Sequence, residues 1–409
     1  MKLLNYEKSA RSLQFLYFSF VAFFCTNEML RWLQLTYQNE KQFIYTERLR
    51  AVLKELPEFC VYYFRAMETT SSILTRYGYA VDLRGFFQFL VSGAVPCCAG
   101  KDMQSLTLSD LNKVRTFDIE SYMEYISLYK VQHDNILSKS DEETDAADNT
   151  VQKTPVIRAN KERAKARKLA AVRSFFKYYY KQQMIDNNVA ALVDTPKLHE
   201  KAIVRLDVNE VADLLDVVDD GQGLSQRQQG YHEHTKVRDA AILTLFLGTG
   251  IRISELVGID KGDIDFSRNQ FVVTRKGGNQ EQLSFGNEVR DALLQYLQER
   301  NKIEALPGHE NALFLSMQKK RITTRAVENL VKKYAKLSTP TKKITPHKLR
   351  STYGTILYQE SGDIYLVADV LGHKDVNTTR KHYAAMSEDR RRTAAKYIKL
   401  REDEPEKDQ

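Results

Sequence analysis

Apolar residues recur at helical spacing along most of the chain, and strand-like runs are few and short. In residues 30–56, Leu30, Leu33, Leu35 and Tyr37 follow a helical spacing and predict a first helix. Two more are predicted over 59–70 and 73–90. The second holds Tyr77, Tyr79, Leu83, Phe86, Phe87, Phe89 and Leu90, a set that suits a packed core better than a base-stacking surface, and Ser71 and Ser72 can cap it. Thr107-Leu108-Ser109-Asp110 opens another unit, and 117–128 reads as a helix with Asp118 near its start. From 158 to 181 the apolar stripe Leu169, Val172, Phe175, Phe176 and Tyr179 marks a strongly amphipathic helix.

Beyond residue 204 the pattern changes. A helix over 207–218 has Asp207 as its cap, and a polar, Gln- and Gly-rich loop follows over 219–235. An apolar helix over 239–247 is broken by Gly248-Thr249-Gly250, and 251–256 starts a new one. Phe271-Val272-Val273-Thr274 is a strand by its β-branched content. Arg275-Lys276-Gly277-Gly278 reads as a turn and 281–285 as the returning strand. Helices are predicted over 287–303 and 323–337, from Pro346 onward, and over 387–400, with an edge strand at 312–315. The fold class that follows is mainly α with a small β-sheet (α+β).

At 409 residues, two domains are the default. The expected organisation is an N-terminal extension over 1–56, a helical domain over 57–186, a linker over 187–203, a second domain over 204–400 and a charged tail over 401–409. An apolar run over 13–25 follows Lys2, Lys8 and Arg11. It is shorter than the roughly 20 residues a membrane span needs and no small-residue cleavage site follows, so it reads as a packing helix or as an over-extended start, with Met29 as the alternative initiator. The four cysteines, Cys25, Cys60, Cys97 and Cys98, form no metal-ligand or disulfide pattern, which favours a reducing cytoplasm.

Net charge is +8 at pH 7, which favours a polyanionic partner. Its distribution is more informative. Residues 138–150 (SKSDEETDAADNT) form an acidic insert that DNA would repel. The stretch that follows is basic: Arg158, Lys161, Arg163, Lys165, Arg167, Lys168, Arg173, Lys177 and Lys181 stand against Glu162 alone. So few acids to compensate favours contact with a DNA backbone over a merely solvated face.

Candidate chemistry gathers in the last 160 residues. His347 and Arg350 are three apart, which puts both on one helix face, where a histidine and a guanidinium suit an anionic oxygen. His373 follows Gly372 after an apolar run. Tyr383 ends a short segment, 376–382, that contains Thr378 and Thr379, and its hydroxyl is a candidate nucleophile. Arg252 sits just past the Gly248–Gly250 break with Glu255 placed to orient it, and Lys276 lies at the hairpin tip. Thr323-Thr324-Arg325 fits a capped helix start whose arginine reaches phosphate or plain solvent. Other chemistries are set aside. Ile253 stands where a dinucleotide loop needs its third glycine, and no Walker A lysine pattern occurs. The pair His232 and His234 lacks a third metal ligand at the usual spacing.

The segments GTGIRISELVGI, TRKGG, TPHKLRSTYGTILYQESGD and VADVLGHKDVNTTRKHYA, in this order, resemble the tyrosine recombinase (phage integrase) family over about residues 206–398. The resemblance implies that Arg252 is the first catalytic arginine, Lys276 the hairpin lysine, His347 and Arg350 the H-x-x-R pair, His373 the second histidine and Tyr383 the nucleophile, with Glu255 behind Arg252. One residue departs from the usual T-T-x-x-Y: here the run is Thr378-Thr379-Arg380-Lys381-His382-Tyr383. The implied fold is a helical core-site-binding domain joined to the recombinase catalytic domain. The implied activity is site-specific recombination or integration through a 3′-phosphotyrosyl link and a Holliday junction, with neither metal nor ATP as cofactor. The implied partners are duplex DNA recombination sites, a homotetramer on paired sites, and accessory DNA-bending or directionality factors. The long N-terminal extension and the acidic insert lean towards a mobile-element integrase rather than a chromosome-dimer resolving enzyme. Two alternatives stand beside this: a decayed, purely DNA-binding relative, and a type IB topoisomerase-like enzyme, against which His347 argues.

Overall fold

The computed structural model describes residues 37–131, 156–198, 204–275, 278–372 and 376. They fall into two compact units, one within Thr36–Lys201 and the other running on from Ala202.

The first unit is built on helices α1 (Tyr37–Leu53), α2 (Cys60–Ala66), α3 (Ile73–Phe89), α4 (Leu108–Asn112), α5 (Thr116–Tyr125) and α6 (Glu162–Lys181). Ser72 caps α3, and Thr107 and Asp110 form a reciprocal capping box on α4. The aromatic residues make the core. Phe87 meets Phe175 at 5.6 Å, Tyr63 meets Phe175 at 5.1 Å and Phe86 meets Tyr122 at 5.2 Å, all edge to face. The unit begins before the expected boundary at 57, because α1 buries Leu49 and Val52 in this same core. It also runs past 186. Ile185, Ala190 and Val193 are buried with it, and Arg173 holds the segment by donating to the carbonyls of Ala190 (3.2 Å) and Val193 and to Thr195 Oγ1 (2.7 Å).

The helix expected over 117–128 ends at Tyr125. Strand β1 (Leu128–Val131) follows and pairs antiparallel with β2 (Val156–Ala159), in register from Leu128↔Ala159 to Val131↔Val156. Both segments carry the β-branched or aromatic residues that favour strands. The acidic insert over 138–150 lies outside the described residues, as do the apolar run over 13–25, the start at Met29, the last helix expected over 387–400 and the tail.

The second unit contains α7 (Val208–Asp220), α8 (Gln226–Thr249), α9 (Ile253–Leu256), strands β3 (Ile264–Asp265), β4 (Gln270–Thr274) and β5 (Gln280–Ser284), then α10 (Asn287–Arg300), α11 (Thr324–Ser338), α12 (Pro346–Ser361) and α13 (Ile364–Val370). The three strands form one antiparallel sheet in the order β3-β4-β5. Mainly helical with a small sheet, this is the predicted fold class. Two local expectations fail. Residues 312–315 are not an edge strand: all four are buried, and Ala312 and Leu315 make only isolated bridges, to Asp260 and Arg321. Most of the loop expected over 219–235 is helix, because Ser225 and Gln228 form a capping box that starts α8 early. No helix among the described residues is long and apolar enough to cross a membrane.

Past its exposed first residues, 226–231, α8 buries the polar side chains of His232, Thr235 and Asp239. Tyr334 on α11 donates its hydroxyl to Asp239 at 3.0 Å, Thr235 donates to the same carboxylate at 3.0 Å, and Lys333 reaches it at 3.3 Å. His232, 3% exposed, sits 3.0 Å from the Tyr334 hydroxyl through Nδ1. His234, two residues on, is exposed; two helical steps turn it to the far face, so the two imidazoles share no ligand. Burial pushes the His232 pKa down, Lys333 adds to that, and Asp239 opposes it. The folded chain therefore favours the neutral ring, while the unfolded chain takes up a proton at the ordinary value near ~6.5. Below that pH unfolding is proton-coupled, so stability of this unit falls as pH drops, until the depressed folded value is passed. Thermal unfolding of the wild type and of His232→Gln between pH 7.5 and 5 checks this: the variant's melting temperature is expected to fall less over the range.

Candidate active site

Four charged side chains meet at one end of the second unit. Helix α8 ends at Gly250 in the left-handed conformation (φ 62°), where a Cβ would overlap Tyr353. That tight stop lets Ile251 bury and leaves Arg252 in extended conformation at the cap of α9. Glu255, 5% exposed, accepts from the Arg252 backbone N–H at 3.0 Å and from its guanidinium at 2.8 Å. Arg252 is thus held by Glu255 within its own helix turn, and its side chain stays 34% exposed.

Arg350 enters from α12, whose first turn carries Pro346 as expected. It is 5% exposed and donates Nη1 to the Gly250 carbonyl at 2.5 Å and Nη2 to the Leu371 carbonyl. Arg252 donates Nη2 to the carbonyls of Leu371 (3.2 Å) and Gly372 (3.0 Å). Two guanidiniums separated by about a hundred residues therefore converge on the same carbonyl oxygen at the end of α13. Donors arranged this way suit an anionic oxygen better than a neutral one. His347, three residues before Arg350 on α12, is exposed. Burial lifts the phenol pKa of Tyr353, against a smaller opposing pull from Arg350.

A third guanidinium, Arg275, lies inside the TRKGG segment, to which the sequence reading gives no role beyond a turn and the lysine beside it. It is 9% exposed, binds Glu281 through Nε (2.5 Å) and Nη2 (2.7 Å), and donates Nη1 to the Leu371 carbonyl at 3.0 Å. A signal is there: Phe271 and Val273 alternate along β4, Arg275 continues that alternation one residue past its end, and all three are buried. The R-K-G-G spacing hides it as a turn. Lys276, His373 and Tyr383 lie outside the described residues.

The basic residues of α6 split into two groups. Arg167 and Lys168 form ion pairs with Asp82, a fully buried carboxylate of α3, and Arg173 holds the 190–195 segment. Lys165 reaches Ser127 Oγ at 3.3 Å. Lys161, Arg163 and Lys177 are exposed, and the backbone of Arg158 pairs with Tyr129 in β2. In the second unit Arg325 is an exposed residue paired with Glu328 one turn on, at 3.2 Å.

The phage integrase family profile matches residues 204–390. Tyrosine recombinase XerC of Syntrophus aciditrophicus is 32% identical over 237 residues, 55% of this chain and 70% of that protein. The protein of the same name from Caldanaerobacter subterraneus subsp. tengcongensis is 31% identical over 334 residues, 80% of this chain and 81% of that one. Among solved structures, XerH recombinase in a post-cleavage complex with palindromic difH superposes with a TM-score of 0.54 at 18% identity, covering 80% of both chains. The Tn1549 transposon integrase in complex with circular intermediate DNA gives 0.53 at 18% identity, over 82% of this chain and 98% of that one. Fold and sequence together define a tyrosine-type site-specific DNA recombinase. The chain belongs to the phage integrase family.

Proposed function

We propose that this protein cuts and rejoins duplex DNA at specific sites by transesterification, with Tyr383 as nucleophile. The observation that carries the reading is the convergence of Arg252 and Arg350 on the Leu371 carbonyl. A phosphorane has two nonbridging oxygens that gain charge as the transition state forms, and two preorganised guanidiniums answer that charge. The phenol oxygen of Tyr383 bonds to phosphorus, and the bond from phosphorus to the 5′-oxygen breaks. The phenol proton passes to His347, Lys276 gives a proton to the departing 5′-oxygen, and His373 adds a hydrogen bond to the phosphoryl group. A free tyrosine pKa of about 10 makes the base necessary near neutral pH. The 3′-phosphotyrosyl link keeps the energy of the broken ester, so rejoining to a second duplex needs no nucleotide. Exchange of two strand pairs through a Holliday junction would occupy four copies on paired sites in the cytoplasm, with bending or directionality factors setting the outcome.

The test is covalent trapping on a nicked suicide duplex carrying DNA that flanks the protein's own gene, in the presence of a chelator. The expected result is a denaturation-resistant protein–DNA adduct that leaves a free 5′-hydroxyl. Site-specific binding with no adduct would favour the decayed DNA-binding reading instead.

The same reading divides the cations of α6 and of its N-cap, Lys161. Alanine at Lys161, Arg163 and Lys177 is expected to weaken binding on any sequence and to reduce the slope of log K against log salt by about 0.9 for each phosphate no longer neutralised. Alanine at Arg173, whose guanidinium is spent on Ala190, Val193 and Thr195, is expected to lower the melting temperature and leave the slope unchanged. Binding titrations from 50 to 200 mM salt separate the two groups.

A further inference from the structure

We propose that Arg275 is a positioning residue for the cleavage step, latching the β4–β5 hairpin that bears Lys276 onto the backbone just before His373. The inference rests on the proposed role of Lys276 as the acid for the leaving 5′-oxygen.

Arg275 is the buried residue just past the end of β4, and it directly precedes Lys276 in the chain. Its guanidinium joins three separate segments. On the hairpin itself, Nε and Nη2 hold both carboxylate oxygens of Glu281, at 2.5 and 2.7 Å. At the end of α13, Nη1 donates to the Leu371 carbonyl at 3.0 Å and Nη2 to the Val370 carbonyl at 3.3 Å. On α9, Nη1 lies 3.8 Å from Glu255, the carboxylate that aims Arg252. The backbone N–H of Arg275 also closes the hairpin on the Asn279 carbonyl at 2.7 Å.

A second observation points the same way. Gly372 has φ 58°, and a Cβ there would overlap the Arg275 guanidinium. The residue next to His373 is therefore one that lets this guanidinium come close. A planar, multiply donating group is needed to grip a carboxylate and two carbonyls at once, and a lysine cannot reproduce it. Without the latch, β4 and β5 keep their mutual pairing but lose this attachment to the end of α13, so the residue that follows Arg275 is no longer tied to that segment. General acid catalysis is worth about 10²- to 10⁴-fold, and misplacement forfeits part of it.

The experiment is single-turnover cleavage of two suicide duplexes, one ordinary and one with sulfur bridging phosphorus to the 5′-carbon at the scissile position. A thiolate leaves without a proton, so the second duplex makes the acid dispensable. Arg275→Gln is expected to cleave the ordinary duplex about 10- to 100-fold more slowly, with DNA affinity unchanged, and to approach the wild-type rate on the sulfur duplex. Lys276→Ala should show the same rescue. Glu281→Gln, which removes the anchor at a partly exposed side chain, should show it in milder form and guards against a folding defect in the arginine variant. Arg275→Lys should behave like the glutamine variant. If Lys276→Ala is rescued while both the Arg275 and Glu281 variants are slowed equally on the two duplexes, or not slowed at all, the positioning role is wrong and the acid assignment stands. If Lys276→Ala itself is not rescued, the acid assignment fails and takes the latch with it.

Discussion

A Tyr383→Phe protein is expected to bind its recombination site as the wild type does and to form no covalent adduct at all. The substitution removes one oxygen and keeps the ring, so side-chain size and charge are preserved while the proposed attacking atom is removed. Water cannot stand in for it, because water attack on a phosphodiester would release product without linking it to protein. The effect is therefore the largest any single change should have, a fall to background rather than a slowed rate. The measurement is denaturing electrophoresis of the suicide-duplex reaction, with binding followed in parallel by mobility shift. The chain has 22 tyrosines, and the run Thr378-Thr379-Arg380-Lys381-His382-Tyr383 holds one residue more than the usual spacing, so the assignment is worth testing directly. The nearest tyrosines are Tyr365 and Tyr397. Tyr365 sits in the first turn of α13, 70% exposed, its backbone N–H capped by Asp363. An adduct that persists in Tyr383→Phe would move the nucleophile to another tyrosine, and peptide mapping of that adduct would name it.

How far the sequence foretells this site depends on whether a residue's role is set locally. Arg252 and Glu255 are three apart on one helix turn, and their ion pair needs nothing else, so spacing alone predicts it. The same holds for Ser72 and Asp207 as helix caps. Arg275 escapes notice because a strand's inner face is visible only in its alternation, and a buried arginine breaks the apolar pattern at the place where Gly277 and Gly278 suggest a turn. The partners that explain its burial, Val370 and Leu371, lie 95 and 96 residues away. The basic helix shows the same limit. Charge density marks all of its cations alike, but Arg167 and Lys168 answer a buried Asp82, 85 residues from Arg167. A lone aspartate among apolar positions of α3 is the available sign, since a buried carboxylate calls for a partner. The early start of α8 is legible in Ser225 and Gln228, and is obscured by the glutamines, histidines and glycine that follow.

Arg350→Ala should cost the reaction about as much as any residue other than the nucleophile, and it should also cost stability. The chemical part follows from the clamp. Loss of one preorganised donor to a developing oxyanion typically lowers the rate about 10²- to 10³-fold, and a charged, two-pronged donor belongs at the upper end or beyond. The structural part follows from burial. At 5% exposure, Arg350 donates to the carbonyls of Gly250 and Leu371. The Leu371 carbonyl keeps Arg252 and Arg275 as donors, whereas the Gly250 carbonyl is deprived of the side chain that reaches it, at a cost of about 1–3 kcal/mol for a buried group left unpaired. Arg252→Ala provides the contrast. Its side chain is 34% exposed, so the same order of rate loss should come with a smaller drop in melting temperature. Arg350→Lys then separates the two effects: it keeps a cation and one donor for the Gly250 carbonyl, but cannot present two parallel N–H groups to a phosphoryl oxygen pair. It is expected to recover much of the melting temperature and little of the cleavage rate. Single-turnover cleavage and thermal unfolding of the three variants check this together. Recovery of both by lysine would mean that Arg350 serves as a buried charge rather than as a clamp.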